Sequence, residues 1–319
     1  MTATLPRCAT CRALVDTEDL FCANCGTEVP QAARAPVPGR PIEARNFECG
    51  GCGASMNYDA GAQALKCPFC GSVDLVEEPG RSILAPELVL PFALDRAQAE
   101  AALRAWLGSS FWRPDDLRAA AQLTDLRAVF VPFWIFATRV GTYWTADTNP
   151  TPPGARSDWF PVASGHERQY TDLWIPAGRA VGLDELSGVL PFDPGTAVAP
   201  EAVDLANVTV EQFSVSRRYA RPQAQGRLEA LEAEAVAAEI PGRCRNVHVN
   251  VLMQDATSRP ALAPLYVMSY RYRGRLFRFV LNGQTGRATG SAPLSGAKVA
   301  AVVALVAIAV AVVALLVLH

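Results

Sequence analysis

The chain reads as a multidomain protein: two small β modules built on cysteine, an α+β domain, and a single C-terminal transmembrane α-helix. Three observations predict this. Eight of the nine cysteines fall into four C-x-x-C pairs within the first 70 residues. Residues 82–290 mix helical and strand periodicities. Residues 299–318 form an apolar run without a charge. The expected boundaries are a first module at 1–29, a Pro/Ala-rich linker at 30–46, a second module at 47–78, the α+β domain at 82–290 and the membrane helix at 299–318.

The cysteine pairs are Cys8/Cys11, Cys22/Cys25, Cys49/Cys52 and Cys67/Cys70, spaced C-x2-C-x10-C-x2-C-G and C-x2-C-x14-C-x2-C-G. A C-x-x-C turn lets two sulfurs reach one ion, and two such turns complete a tetrahedral thiolate set for Zn²⁺. The spacing therefore predicts two structural zinc ions, one per module, held by all eight residues. Segments this short bury too little to fold alone, so metal binding supplies their folding energy. Between them, Pro30, Pro36, Pro38, Gly39 and Pro41 make an extended tether.

Within 82–290, Asp95 followed by Gln98 forms a capping box ahead of a helical stripe of Leu103, Trp106 and Leu107. Pro114, Asp115 and Asp116 open a second short helix. Residues 129–145 read as paired strands broken at Gly141. Residues 149–158 form a loop rich in proline. Residues 223–239 read as an amphipathic helix with Leu228, Leu231, Ala235 and Val236 on one face and Glu229 and Glu232 elsewhere. A two-residue turn at Arg273-Gly274 aligns Tyr266, Met268, Tyr270 and Tyr272 with Phe277, Phe279 and Leu281 on one face of a hairpin, and puts Arg271 and Arg278 on the other.

The apolar run measures about 30 Å as a helix, the thickness of a bilayer's hydrocarbon core. Residues 1–6 carry no charged n-region or apolar core, which predicts an N-terminal body that stays in the cytoplasm. From Arg259 to Lys298 there are seven cations and no Asp or Glu, in keeping with the positive-inside rule. The expectation is a single-pass, tail-anchored protein of the cell membrane. Ala300, Ala304, Ala307, Ala311 and Ala314 recur at helical spacing, a seam through which two copies could pack as a homodimer.

Charge and composition narrow the function. Both cysteine modules are acidic, with Asp16, Glu18, Asp19 and Glu28 in the first and Glu48, Asp59, Asp74, Glu77 and Glu78 in the second, which opposes phosphate binding. The histidines are His166, His248 and His319, and no phosphate-binding loop is present. A Cys244/His248 pair is the one conceivable nucleophilic arrangement, and a strand histidine beside a structural thiol is the commoner meaning of such a pattern. No catalytic residue and no organic cofactor is expected.

Cys49-Gly50-Gly51-Cys52-Gly53 with Cys67-Pro68-Phe69-Cys70-Gly71, Val131-Pro132-Phe133-Trp134, and Asn282-Gly283-Gln284-Thr285-Gly286 ahead of the anchor resemble bacterial membrane-anchored proteins with transcription-factor-IIB-type zinc ribbons, often catalogued as primosomal-helicase-like. The likeness spans nearly the whole chain, and its cysteines are its specific part. It implies a membrane-tethered adaptor whose cytoplasmic partners include membrane-stress proteins of the phage-shock type. The chain has none of the motor motifs that the helicase label suggests. Ala263-Pro264-Leu265-Tyr266 stands where the related pattern tends to have Trp, a departure from a strict duplicated motif. The expected function is a non-catalytic zinc adaptor that presents two ribbons to protein partners, with a membrane-localised nucleic-acid-associated factor as the alternative and an enzyme using the α+β domain as a third reading.

Overall fold

The computed structural model describes residues 8–12, 27, 45–58, 66–77, 84, 86–117, 122–123, 126–150, 152–154, 157–205 and 208–318. In chain order the strands are β1 (Arg45–Cys49), β2 (Ser55–Tyr58), β3 (Leu75–Glu77), β4 (Leu88–Val89), β5 (Gln122–Leu123), β6 (Arg127–Thr148), β7 (Phe160–Pro176), β8 (Thr209–Glu211), β9 (Cys244–Tyr272), β10 (Arg275–Asn282) and β11 (Ala288–Gly290). The helices are α1 (Arg96–Leu107), α2 (Leu183–Val189), α3 (Arg217–Glu239) and α4 (Gly296–Leu318). All strands join one mixed sheet, whose main path runs β11-β10-β9-β6-β8-β2-β1-β3.

Two long strands, β6 and β9, cross the sheet antiparallel with Val131 opposite Ala263. Each carries a proline near this point, which a central strand would ordinarily reject because proline cannot donate to the ladder. The outer edges of the pair explain the tolerance. On β6, β8 pairs as far as Phe130 and β7 begins at Phe133, so Pro132 falls in the gap between them. On β9, β4 pairs as far as Leu262 and β10 begins at Leu265, leaving Pro264 in an equivalent gap. Each proline carbonyl still accepts a bond, Pro132 from Ala177 N–H and Pro264 from Gly283 N–H, both at 2.9 Å.

The equivalence extends outward and reveals an internal duplication. The Trp134 indole donates to the Val215 carbonyl at 2.9 Å, and the Tyr266 hydroxyl donates to the Leu94 carbonyl at 2.8 Å. Those acceptors immediately precede the N-caps of α3 and α1, Ser216 and Asp95. Phe213 packs on Trp134 and Phe92 on Tyr266. Tyr266 thus occupies the place in one half that Trp134 occupies in the other. The halves are interwoven: α1 packs on the face of β9 and β10 with Tyr266, Met268, Tyr270 and Phe279, whereas α3 packs on the face of β6 and β7 with Trp134, Phe136 and Ile175.

Several local expectations hold. Asp95 and Gln98 form the reciprocal capping box at 2.8 and 2.9 Å, and Leu103 and Leu107 are buried under α1. Arg273 and Gly274 form the turn, both with positive φ, as a type I′ hairpin demands. Tyr272 pairs with Arg275, so the aromatic face is in the expected register. The short helix opening at Pro114 lies largely outside the described residues, as does the linker before Arg45.

Two expectations are corrected. Gly141 does not break its strand: β6 runs unbroken through it, with Glu167 and Leu252 as partners on either side. Two flanking ladders outweigh the roughly 0.5–1 kcal/mol that glycine's freedom costs there. Helix α3 starts six residues before the expected 223, at Arg217, and buries Ala220, Ala224, Leu228, Glu232 and Val236 in one stripe. Glu232 therefore lies inside the apolar face rather than away from it. Its carboxylate is fully covered and accepts from Tyr170 Oη, from Thr142 Oγ1 at 3.0 Å and from His166 Nε2 at 2.6 Å, with Arg168 3.8 Å away. Burial alone would raise its pKa, but these bonds prevail and hold it below the usual carboxylate range.

Replacing Tyr266 by Phe should lower stability by about 1 kcal/mol through one lost hydrogen bond, and Trp134→Phe by about 2 kcal/mol because volume is lost as well. The urea midpoint of the detergent-solubilised chain reads both. Glu232→Ala leaves three partners facing a void and should cost about 3 kcal/mol. Since folding depresses this pKa, its contribution is complete above the ordinary value of 4.5 and fades as pH falls through the folded value. The midpoint difference between wild type and Glu232→Ala should accordingly shrink in acid.

Candidate metal centre

The opposite face of the β6–β9 crossing presents Val129, Val131, Phe133, Ile135, Ala261, Ala263, Leu265 and Val267. Against it pack Phe47, Ala54, Met56 and Phe69 of the second cysteine module, together with Cys49 and Cys67 themselves. Strand β2 pairs with β8, and β8 runs parallel to β6, so the module's sheet is continuous with the main sheet. Ser269 Oγ donates to the Phe69 carbonyl at 3.3 Å. Expected as a separate unit at 47–78, the module instead packs its described residues, 47–58 and 66–77, on the main sheet.

Two matching turns bring the four sulfurs together. Gly53 N–H donates to Cys49 O at 2.7 Å and Gly71 N–H to Cys67 O at 2.8 Å, with φ of +70° and +74°. Cys49 N–H then bonds Ala54 O at 2.9 Å and Cys67 N–H bonds Ser72 O at 2.8 Å. Left-handed backbone at the residue after the second cysteine is what Gly53 and Gly71 supply. The Sγ atoms of Cys49, Cys52, Cys67 and Cys70 all lie within 4.8 Å of one another, with Cys49–Cys70 at 3.5 Å and Cys52–Cys67 at 3.6 Å. A tetrahedral ion with bonds of about 2.3 Å places its sulfurs about 3.8 Å apart, so the donor set fits a soft divalent metal. The separations are far beyond the roughly 2.05 Å of a disulfide.

The electrostatics call for a cation. The Cys67 thiol bonds the Cys52 sulfur and brings Cys52 down to about 5. Cys67 is pushed up in return, and burial raises Cys70 to about 11. One thiolate forms readily at Cys52 while Cys67 and Cys70 hold their protons more tightly, because like charges gather poorly in a half-buried site. A divalent ion removes that restriction.

Two neighbours were not legible in the sequence. Glu211 on β8 is fully buried, and its Oε1 accepts from the backbone N–H groups of Arg179 and Ala180 at 2.7 Å each. Burial raises its carboxyl to about 7, with the Cys52 charge adding to the effect. The Arg179 side chain lies about the Gly53 turn, within 3.9 Å of the position a Cβ would take there. Only the meeting of β8 with the loop after β7 puts a carboxylate and a guanidinium beside the tetrad.

Of the first module, Cys8 and Cys11 are described and Cys22 and Cys25 lie outside the described residues. Arg12 N–H donates to Cys8 O at 2.9 Å with φ +59°, the same turn as at Gly53 and Gly71 with arginine in the left-handed position. Cys244 and His248 stand four residues apart on β9, opposite Thr148 and Thr145, and no hydrogen bond joins them. His248 lines an open cavity of about 480 Å³ with Trp144, Ser164 and Asn250. The Asn282-Gly283-Gln284-Thr285-Gly286 motif is structural. Buried Asn282 donates to Val189 O and Pro191 O and accepts from Gln284 N–H and Thr285 N–H, which pins the chain after α2.

This chain is similar to YdjG, an uncharacterised protein of Bacillus subtilis (strain 168). The two are 24% identical over 316 residues, covering 80% of this chain and 92% of the relative. No family model matches the chain, and no solved structure matches it.

Because the tetrad lies in the core, removing its metal should loosen the whole body. Chelation should lower the melting temperature of the entire cooperative transition, whereas a tethered module would leave the main transition unmoved. Cys52→Ser should remove one equivalent of bound metal by elemental analysis. Since the ligating thiols must lose protons to bind, metal should be released as pH falls.

Proposed function

We propose that this is a non-catalytic, membrane-tethered zinc adaptor with a cytoplasmic body. The observation that carries the reading is the pairing of a cysteine tetrad packed on the main sheet with an apolar helix, Gly296–Leu316, that is long and apolar enough to cross a membrane and whose apolar stretch is not buried by the rest of the protein. In this reading zinc at Cys49, Cys52, Cys67 and Cys70 is structural and stiffens the sheet. A second zinc at Cys8, Cys11, Cys22 and Cys25 builds the ribbon that meets the partner.

The charge pattern supports a protein partner over nucleic acid. The outer surface of residues 66–77 exposes Val73 and Val76 among Asp74 and Glu77, an acidic and apolar mixture unsuited to a phosphate backbone. A basic, partly apolar partner surface would complement it. Membrane-stress proteins of the phage-shock type are candidates through the family resemblance alone.

Cross-linking in cells followed by purification of the full chain tests this. Captured proteins should persist through nuclease treatment, and Cys25→Ser, which spares the packed tetrad, should abolish their capture. Retention on DNA that falls steeply with salt, and survives in Cys25→Ser, would favour the nucleic-acid reading instead.

A further inference from the structure

We infer that the segment Phe111-Trp112-Arg113, with the Arg273-Gly274 hairpin tip beside it, is a second membrane-contact surface that seats the body on the anionic headgroup layer of the bilayer crossed by α4. The inference rests on the membrane-anchor reading above and extends it from one helix to a face of the body.

The first observation is exposure. Phe111 is 65% and Trp112 42% exposed, their rings packed edge to face at 5.5 Å. Leu294, just before α4, is 69% exposed. Large aromatic side chains on a solvated loop are costly in water, and at the bilayer interface they find the mixed environment their rings prefer.

The second observation is position. Ser295 N–H donates to the Trp112 carbonyl at 2.7 Å, and Lys298 Nζ donates to the Arg113 carbonyl at 3.0 Å and pairs with Asp115 at 2.5 Å. Lys298 Nζ also sits 5.3 Å from the centre of the Phe111 ring. The uncharged run begins at the next residue, Val299. One turn of helix rises about 5.4 Å, so the aromatic pair is held within a turn or so of the hydrocarbon boundary if α4 crosses the bilayer.

The third observation is charge. Tyr272 Oη donates to Asp116 at 2.7 Å and Arg273 pairs with it at 3.2 Å, which ties the hairpin tip to the same segment. Arg275 pairs with Tyr272 and so shares its face, which puts Arg113, Arg273, Arg275 and Lys298 on the side of Asp115 and Asp116, four cations to two carboxylates. A cationic rim around exposed aromatics matches an anionic leaflet, whose lipids attract basic residues close to the surface.

The full chain reconstituted into phosphatidylcholine vesicles with brominated acyl chains, with or without phosphatidylglycerol, tests the idea. Bromine quenches tryptophan only at close range, and Trp112 is one of six in the protein. Wild type should show a quenched component that is stronger with phosphatidylglycerol and is lost in Trp112→Phe. Changing Arg273 and Arg275 together to Gln should bring quenching in anionic vesicles down towards the neutral-vesicle level. Bound metal equal to wild type verifies that each variant is folded. Equal quenching in wild type and Trp112→Phe overturns the inference while the anchor reading stands. Release of the wild-type chain from vesicles by alkaline carbonate overturns the anchor reading and this one with it.

Discussion

The antiparallel crossing of β6 and β9 at Val131 and Ala263 sets the position of every other element. Its two faces are both apolar, so both must be covered. Helices α1 and α3 cover one with aromatic contacts, and the second cysteine module with α2 covers the other. Pro132 and Pro264 mark where the flanking strands change over on each edge. They also stop either long strand from pairing continuously with a single outer neighbour. The swapped assignment of helices, each packed on the other half's hairpin, means that neither repeat can bury its own apolar face alone.

This arrangement changes what a metal held by the tetrad would do. In an isolated ribbon, binding energy folds only some 25 residues. Here the turns that carry the sulfurs also carry Phe69 and Met56 into the main core, so the geometry of the tetrad is coupled to the sheet. Glu211 strengthens the coupling, because its buried carboxylate is held by backbone groups from the loop after β7 while its strand pairs with β2. Six side chains from three parts of the chain thereby converge on a site where four thiolates together would carry more negative charge than Arg179 offsets. A divalent ion is the natural counterweight, and the Arg179 side chain lies beside the Gly53 turn.

At the other end, the sheet's last hairpin and the segment after α1 meet the start of α4 through Asp115, Asp116 and Lys298. These ion pairs are partly exposed and contribute modestly to stability. Their consequence is geometric, since they fix the exposed aromatic pair and the basic tip relative to the apolar helix. The cysteine tetrad and the base of the apolar helix therefore lie at different regions of one continuous sheet, linked by the two longest strands.

Residue type and spacing alone determined the four C-x-x-C pairs, the capping box at Asp95, the Arg273-Gly274 hairpin and the apolar helix, because each depends on neighbours a few residues away. The cysteine pattern made the gathering of Cys49, Cys52, Cys67 and Cys70 legible. Glu232 shows the limit of such local reasoning: a carboxylate is ordinarily solvated, and nothing along the helix reveals that Tyr170, His166 and Thr142 wait on a sheet to satisfy it. Gly141 shows it again, since whether glycine ends a strand depends on ladders contributed by β7 and β9. The docking of the second module, the duplication seen through Trp134 and Tyr266, and the approach of Glu211 and Arg179 to the sulfurs were decided only in three dimensions. They arise from pairings between segments tens to hundreds of residues apart, whose partners are selected by the burial of whole faces rather than by any local preference.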